Sequence, residues 1–130
     1  MPHPAAGRDN TRVDLTAKLQ IKPGTQVAVV AGPDDGPDLV GLGPLASNPA
    51  EAGAVIAFAR LRADITQAAG PAVEAARDDR LAWIAYPKAG QLGTDINRDS
   101  LAAAVAELGI RPVRQVSLDE VWSALRFRPA

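Results

Sequence analysis

Three short apolar runs, each bounded by turn-forming residues, most constrain the fold of this chain. The runs are QVAVVA at 26–31, AVIAFA at 54–59 and LAWIAY at 81–86. Unbroken apolar character over about six residues is typical of a strand buried on both faces, as in a parallel sheet. Because parallel strands need long crossovers, which are usually helical, the sequence predicts an α/β fold.

The segments before and after the third run show the residue patterns of helices. Apolar residues recur at helical spacing between 61 and 76, and Pro71 predicts a kink or a division into two helices at Gly70–Pro71. Asn97 is expected to cap a further helix that ends at Gly109. Right-handed crossovers in one direction would place these helices on one face of the sheet, leaving the other to a weak N-terminal helix.

The C-terminal part predicts two more strands, at 112–118 and 123–127, joined by residues 119–122. Ala124, Arg126 and Arg128 alternate with Leu125 and Phe127, so the first three are expected on a solvent-exposed face of the last strand. We expect residues 1–11 to form a disordered tail and residues 12–130 a single domain.

Composition excludes several classes of function. The 130 residues carry a formal net charge of −1, no cysteine and one histidine, His3 in the expected tail. Disulfides, thiol chemistry and most zinc sites need residues that are missing, and a near-neutral chain is a poor ligand for polyanions. We therefore expect no metal, no nucleic acid and no membrane association, and a cytoplasmic location because the N-terminus lacks a signal-peptide pattern.

Two motifs and one catalytic arrangement give weak signals. The string GLGPLA at 41–46 fits a dinucleotide-binding pattern, but it does not follow the first strand directly, and Pro44 lacks an N–H. Asp34, Asp35 and Asp38 are better explained by a turn than by a cation site. No serine has a histidine base in the folded part, although a pair with Lys88 is conceivable, so we expect no catalytic residues and no enzyme activity.

The best candidate site is the loop from Pro87 to Asp95, at the carboxyl end of the third strand, where open α/β sheets usually bind ligands. A lysine, two glycines and a helix N-terminus suit a small anion. The residues expected to form this site, with the strand connection on the same edge, are Lys88, Gly90, Gly93, Thr94, Asp95, Asp119 and Trp122. In the alternative interpretation Lys88 pairs with Asp119 or Glu120, Trp122 fills the corner of the sheet, and the motif is structural.

Four spaced motifs carry a family resemblance across residues 12–128. They are Lys18-Leu19-x-Ile21-x-Pro23-Gly24, Trp83-x-x-Tyr86-Pro87-Lys88, Thr94-Asp95 and Asp119-x-x-Trp122-Ser123-x-Leu125. Together they resemble the bacterial family catalogued as domain of unknown function 3052, which implies a small α/β domain with no assigned activity.

The predicted element order also resembles the class I methyltransferase sheet. That likeness implies a Rossmann-like open sheet of about five strands in two or three layers, in spatial order 1-2-3-5-4. The first four strands would be parallel and the last antiparallel.

The functional expectation is a non-enzymatic module that binds a protein partner, a second copy of the chain or a small anionic ligand, without a cofactor. Two alternatives are kept. One is a degenerate S-adenosylmethionine-dependent methyltransferase-like enzyme, and the other is a nucleotide-binding regulator that uses the Lys88–Asp95 loop.

Overall fold

The computed structural model describes residues 17–22, 24–32, 44–46, 48–88 and 90–130, apart from the side chains of 66–68. The predicted tail at 1–11 and the aspartates at 34, 35 and 38 lie outside these ranges. Of the GLGPLA string, residues 44–46 are described, and they run beside the first strand: Val27 N donates to Pro44 O (2.8 Å) and Ala46 N to Val27 O (2.9 Å).

The three apolar runs are confirmed as strands, and two further strands follow them. The second and third runs are buried on both faces as predicted, but the first is exposed at Val29. The described elements, in chain order, are β1 Val27–Val30, β2 Ala54–Phe58, α1 Arg62–Ala68, α2 Gly70–Arg77, β3 Leu81–Pro87, α3 Arg98–Ala106, β4 Ile110–Ser117 and β5 Trp122–Pro129, with a 3-10 helix, Pro49–Glu51, before β2.

The helix boundaries follow the predicted signals. Pro71 lies in the first turn of α2, so the apolar segment is divided into two helices where a proline N–H is dispensable. Asn97 caps α3 by accepting a hydrogen bond from Ser100 N at 2.8 Å. Gly109 follows α3 with a φ of +87°, a left-handed conformation that glycine adopts without strain.

The five strands form one mixed sheet in the order β1-β2-β3-β5-β4, as expected. Four parallel strands were expected, but only β1, β2 and β3 are joined by parallel ladders. β4 makes no parallel ladder and enters the sheet through antiparallel pairing with β5, which is itself antiparallel to β3. A four-residue connection between β4 and β5 permits only a hairpin, so antiparallel pairing is imposed at this edge.

All three described α-helices pack on the same face of the sheet, as the handedness argument predicts. Val55, Ile84 and Phe127 of the strands meet Val73 of α2 and Leu101 of α3 there. The opposite face, called the second face below, carries the strand residues Ile56, Phe58, Trp83, Ala85, Trp122 and Ala124.

The second face is closed in part by the segment before β1. Leu19 and Ile21 are buried against it. The indole of Trp83, which has no exposed surface, donates to Leu19 O at 3.0 Å. This bond gives the buried N–H a partner and fixes the segment across the sheet.

The solvent-exposed face predicted for β5 is found only in the last part of the strand. Ala124 is fully buried, Arg126 is half-buried and Arg128 is exposed. β5 also begins at Trp122, so this residue belongs to the strand and not, as predicted, to the connection before it.

Candidate functional site

Lys88 lies directly after β3, and its contacts differ from both sequence interpretations. Its backbone N donates to Val121 O at 2.7 Å, and its Nζ donates to Ser117 Oγ at 2.8 Å. Neither Asp119 nor Glu120 forms a salt bridge with it among the described residues. The ammonium is therefore held at the end of β4 without a carboxylate to neutralise it.

The contact between Lys88 and Ser117 places a serine beside a lysine, as the conceivable catalytic pair requires. The lysine is the donor, however, and Ser117 Oγ in turn donates to Asp119 O at 3.0 Å. Ser117 is exposed. The pair stabilises the turn between β4 and β5, and the lysine is the hydrogen-bond donor in it, whereas a general base has to accept a proton.

The two glycines of the predicted site serve the loop conformation. Gly90 and Gly93 have φ values of +81° and +68°. A Cβ atom on either would meet no atom within 4 Å, so neither glycine is needed for the close approach of another group. Their left-handed backbone explains the choice of glycine without a ligand.

Thr94 and Asp95 join the loop to the start of α1. Thr94 Oγ1 donates to Arg60 O at 2.5 Å, and Asp95 Oδ1 accepts from Arg62 N at 2.7 Å. Asp95 thus supplies a cap from a distant part of the chain to the first residue of α1. Both side chains have structural roles.

Asp119 and Trp122 are likewise used within the fold. Asp119 Oδ1 accepts from Val121 N (2.8 Å) and Trp122 N (2.7 Å), which closes the hairpin turn. Trp122 is 1% exposed and packs edge-on against Phe58, with ring centroids 5.2 Å apart. Its indole Nε1 is buried without a hydrogen-bond partner. The structural interpretation is therefore correct for Trp122, which fills the corner of the sheet.

Of the seven predicted site residues, Lys88 lines a described cavity. The cavity measures about 190 Å³ and opens at the carboxyl end of β3, on the helix side of the sheet. This cavity is called the Lys88 cavity below. It is lined by Tyr86, Lys88, Asn97, Arg98, Gln115 and Ser123.

Five of these residues were not among the predicted site residues. Ser123 lies opposite Tyr86 in the β3–β5 ladder, and Gln115 reaches the same point from β4. Arg98 is the first residue of α3. Only strand pairing brings these residues together, and the register of two distant strands cannot be read from one sequence.

The Lys88 cavity is rich in hydrogen-bond donors and contains no carboxylate. Lys88 and Arg98 supply two positive charges. Ser123 is 6% exposed, and its hydroxyl makes no hydrogen bond with the described chain. Its oxygen is not fully buried, so it faces the open cavity and can hydrogen-bond a ligand or water there.

Tyr86 adds a neutral phenol to this set. Its oxygen accepts from Gln115 Nε2 at 3.0 Å, which leaves its own O–H available to donate. Burial raises the pKa of Tyr86, and the positive charge of Arg98 lowers it to a smaller extent. The phenol therefore stays protonated at neutral pH.

The N-terminus of α3 lies at the same cavity through Asn97 and Arg98. Asn97 satisfies Ser100 N, and the first N–H groups of any α-helix have no partner inside the helix. The partial positive charge of this terminus adds to that of the two side chains.

Neither a cluster of metal-ligating side chains nor a membrane-spanning helix occurs among the described residues. No group of three or more His, Asp or Glu side chains within them could hold a metal ion. None of their helices is long and apolar enough to cross a membrane.

Fold and site together define an open, mixed α/β sheet with helices on one face and a small cationic cavity at the carboxyl edge of its parallel strands. No protein-family model matches the chain, and no curated protein and no solved structure matches it either. The resemblances to domain of unknown function 3052 and to methyltransferases stay predictions.

Proposed function

We propose that this chain is a non-enzymatic module that binds a small oxyanion, such as a phosphate or carboxylate group, in the Lys88 cavity. The observation that carries the proposal is the convergence of two uncompensated cations with the Ser123 hydroxyl, which lines the cavity and makes no hydrogen bond with the described residues. Charge-assisted hydrogen bonds from lysine and arginine are the strongest contacts that proteins make to oxyanions.

The size of the cavity favours a small anion over a larger cofactor. Pockets for cofactors and drug-sized ligands span about 300–1,000 Å³. The Lys88 cavity, at about 190 Å³, is smaller than this range. Nucleotides and S-adenosylmethionine would have to leave most of their surface outside it, which argues against the two alternative functions.

The chemistry of the lining favours binding over catalysis. The side chains donate hydrogen bonds, and the tyrosine is kept neutral by burial. No carboxylate or histidine lines the cavity to accept a proton from a substrate. A protein partner or homodimer stays a separate proposal.

A thermal-unfolding titration tests the proposal with phosphate, acetate, S-adenosylmethionine and ATP, using chloride at matched ionic strength as the reference. A ligand that binds only the folded chain raises its stability by RT ln(1 + [L]/Kd). We expect saturable stabilisation by phosphate or acetate. Stabilisation by S-adenosylmethionine or ATP at lower concentrations than either anion would favour an alternative function.

Three variants locate the site. Lys88→Gln should weaken anion binding about 10-fold or more, and Ser123→Ala several-fold, because each removes a donor from the cavity. Lys18→Gln is the matched control: Lys18 Nζ lies 3.4 Å from Ser117 O in the same corner but is not part of the lining. Equal losses in all three variants would mean nonspecific electrostatic attraction, and the proposal would fail.

A further inference from the structure

A second, larger cavity lies at the opposite end of the sheet. It measures about 350 Å³ and is lined by Gln20, Lys22, Thr25, Gly53, Leu81 and Arg126. Gly53 and Leu81 stand at the starts of β2 and β3, whereas the Lys88 cavity opens where β3 ends. This second cavity is called the Arg126 cavity below.

The charge of Arg126 is poorly compensated. Its Nη1 donates to Gln20 Oε1 at 2.6 Å, but its Nε is buried and has no hydrogen-bond partner in the described part of the chain. No carboxylate forms a salt bridge with it among the described residues. A half-buried guanidinium with only an amide oxygen as acceptor carries a desolvation cost that an anion would offset.

Two further cations reinforce this positive charge. Arg114 lies directly opposite Arg126 in the β4–β5 ladder, where like charges repel at short range. Lys22 lines the cavity and has no partner among the described residues. The carboxylate of Asp79 is hydrogen-bonded to Arg128 at 3.0 and 3.2 Å, and it acts on Arg126 only through a weaker coulombic attraction.

The side-chain amide oxygen of Gln20 occupies the position beside Arg126 that an oxygen of a bound anion would take. Its amide oxygen approaches the guanidinium at a distance typical of a carboxylate, and its φ of +60° is a left-handed conformation that a non-glycine residue adopts at a cost. Gln20 is exposed, so its side chain can leave the guanidinium without disrupting the core.

We propose that the Arg126 cavity binds a small organic anion, whose carboxylate or phosphate group displaces the Gln20 amide from Arg126 and pairs with Lys22. The hydroxyl of Thr25 offers a further polar contact, and the side chain of Leu81 offers an apolar one. The volume lies in the range for small-molecule pockets, so the ligand has an organic body as well as a charged group.

The test follows the arginine Nε–H resonances by NMR during titration with benzoate, phenyl phosphate and benzyl alcohol. Benzyl alcohol has a similar body without the charge. We expect a saturable shift of the Arg126 resonance with one or both anions and none with the alcohol. Comparing benzoate with phenyl phosphate separates a carboxylate ligand from a phosphate ligand.

Two substitutions and a control make the test specific. Gln20→Glu should raise the melting temperature, because a carboxylate replaces the amide beside Arg126, and should abolish binding by occupying the anion position. Lys22→Gln should weaken binding about 10-fold. Arg114→Gln removes the same charge outside the lining, and its effect should be smaller and should vanish at high salt.

The proposal fails if benzyl alcohol shifts the Arg126 resonance as the anions do, or if the anion-induced shift does not saturate. It also fails if Gln20→Glu binds benzoate or phenyl phosphate as tightly as the parent chain does. None of these substitutions alters the Lys88 cavity, so phosphate binding there succeeds or fails independently.

Discussion

The two buried tryptophans of the second face offer a matched test of what a hydrogen bond contributes inside this protein. Trp83 and Trp122 are 0% and 1% exposed. The indole of Trp83 donates to Leu19 O at 3.0 Å, and the indole of Trp122 has no partner. Replacing each by phenylalanine removes the same atoms, so the transfer and cavity costs largely cancel in the comparison.

The difference between the two variants comes from the polar atoms. Trp83→Phe loses a hydrogen bond and leaves the carbonyl of the buried Leu19 without its partner, whereas Trp122→Phe removes an N–H that was unsatisfied. A buried polar group left unpaired costs about 1–3 kcal/mol. We therefore expect Trp83→Phe to lower the free energy of unfolding by about 1–3 kcal/mol more than Trp122→Phe does.

Urea denaturation followed by circular dichroism measures this difference. With a slope of about 1–3 kcal/mol/M for a small protein, the midpoints of the two variants should differ by about 0.3–3 M. The edge-on contact of ring 122 with Phe58 should survive, since phenylalanine keeps a ring there. If Trp122→Phe is as destabilising as Trp83→Phe, or more so, the reasoning from hydrogen-bond satisfaction is wrong.

Two further predictions concern charged groups. Asp95→Ala should lower the free energy of unfolding by about 1 kcal/mol, because the cap on Arg62 N is lost, and should leave anion affinity at the Lys88 cavity unchanged in a calorimetric titration. The paired guanidinium of Arg128 holds the pKa of Asp79 below its usual value, so its stabilising effect is present at neutral pH and is lost as the pH falls through the acid range below about 4. Asp79→Asn, which tolerates the φ of +59° at this position, should therefore reduce the pH dependence of the melting temperature in that range, and an unchanged profile would contradict the assignment.

The sequence by itself determined the parts of this fold that depend on local signals. The continuous apolar runs predicted strands buried on both faces, which is correct for β2 and β3, whereas Val29 of β1 is exposed. Pro71 ends one helix and begins another because it lacks an N–H. Asn97 and Gly109 marked the ends of α3 for equally local reasons. The alternation correctly predicted exposure at Arg128, but Arg126 is half-buried and Ala124 is buried, because the second face is covered there.

Tertiary structure decided which polar groups share a site. Thr94 and Asp95 had the composition of an anion-binding loop, yet they bond to the backbone around α1, some 33 residues earlier in the chain. Ser123 meets Lys88 and Arg98 only because β5 inserts between β3 and β4 in a particular register. Gln20 reaches Arg126 across 106 residues for the same reason. Such contacts depend on long-range strand pairing, which local propensity and spacing do not specify, and both proposed anion sites are built from them.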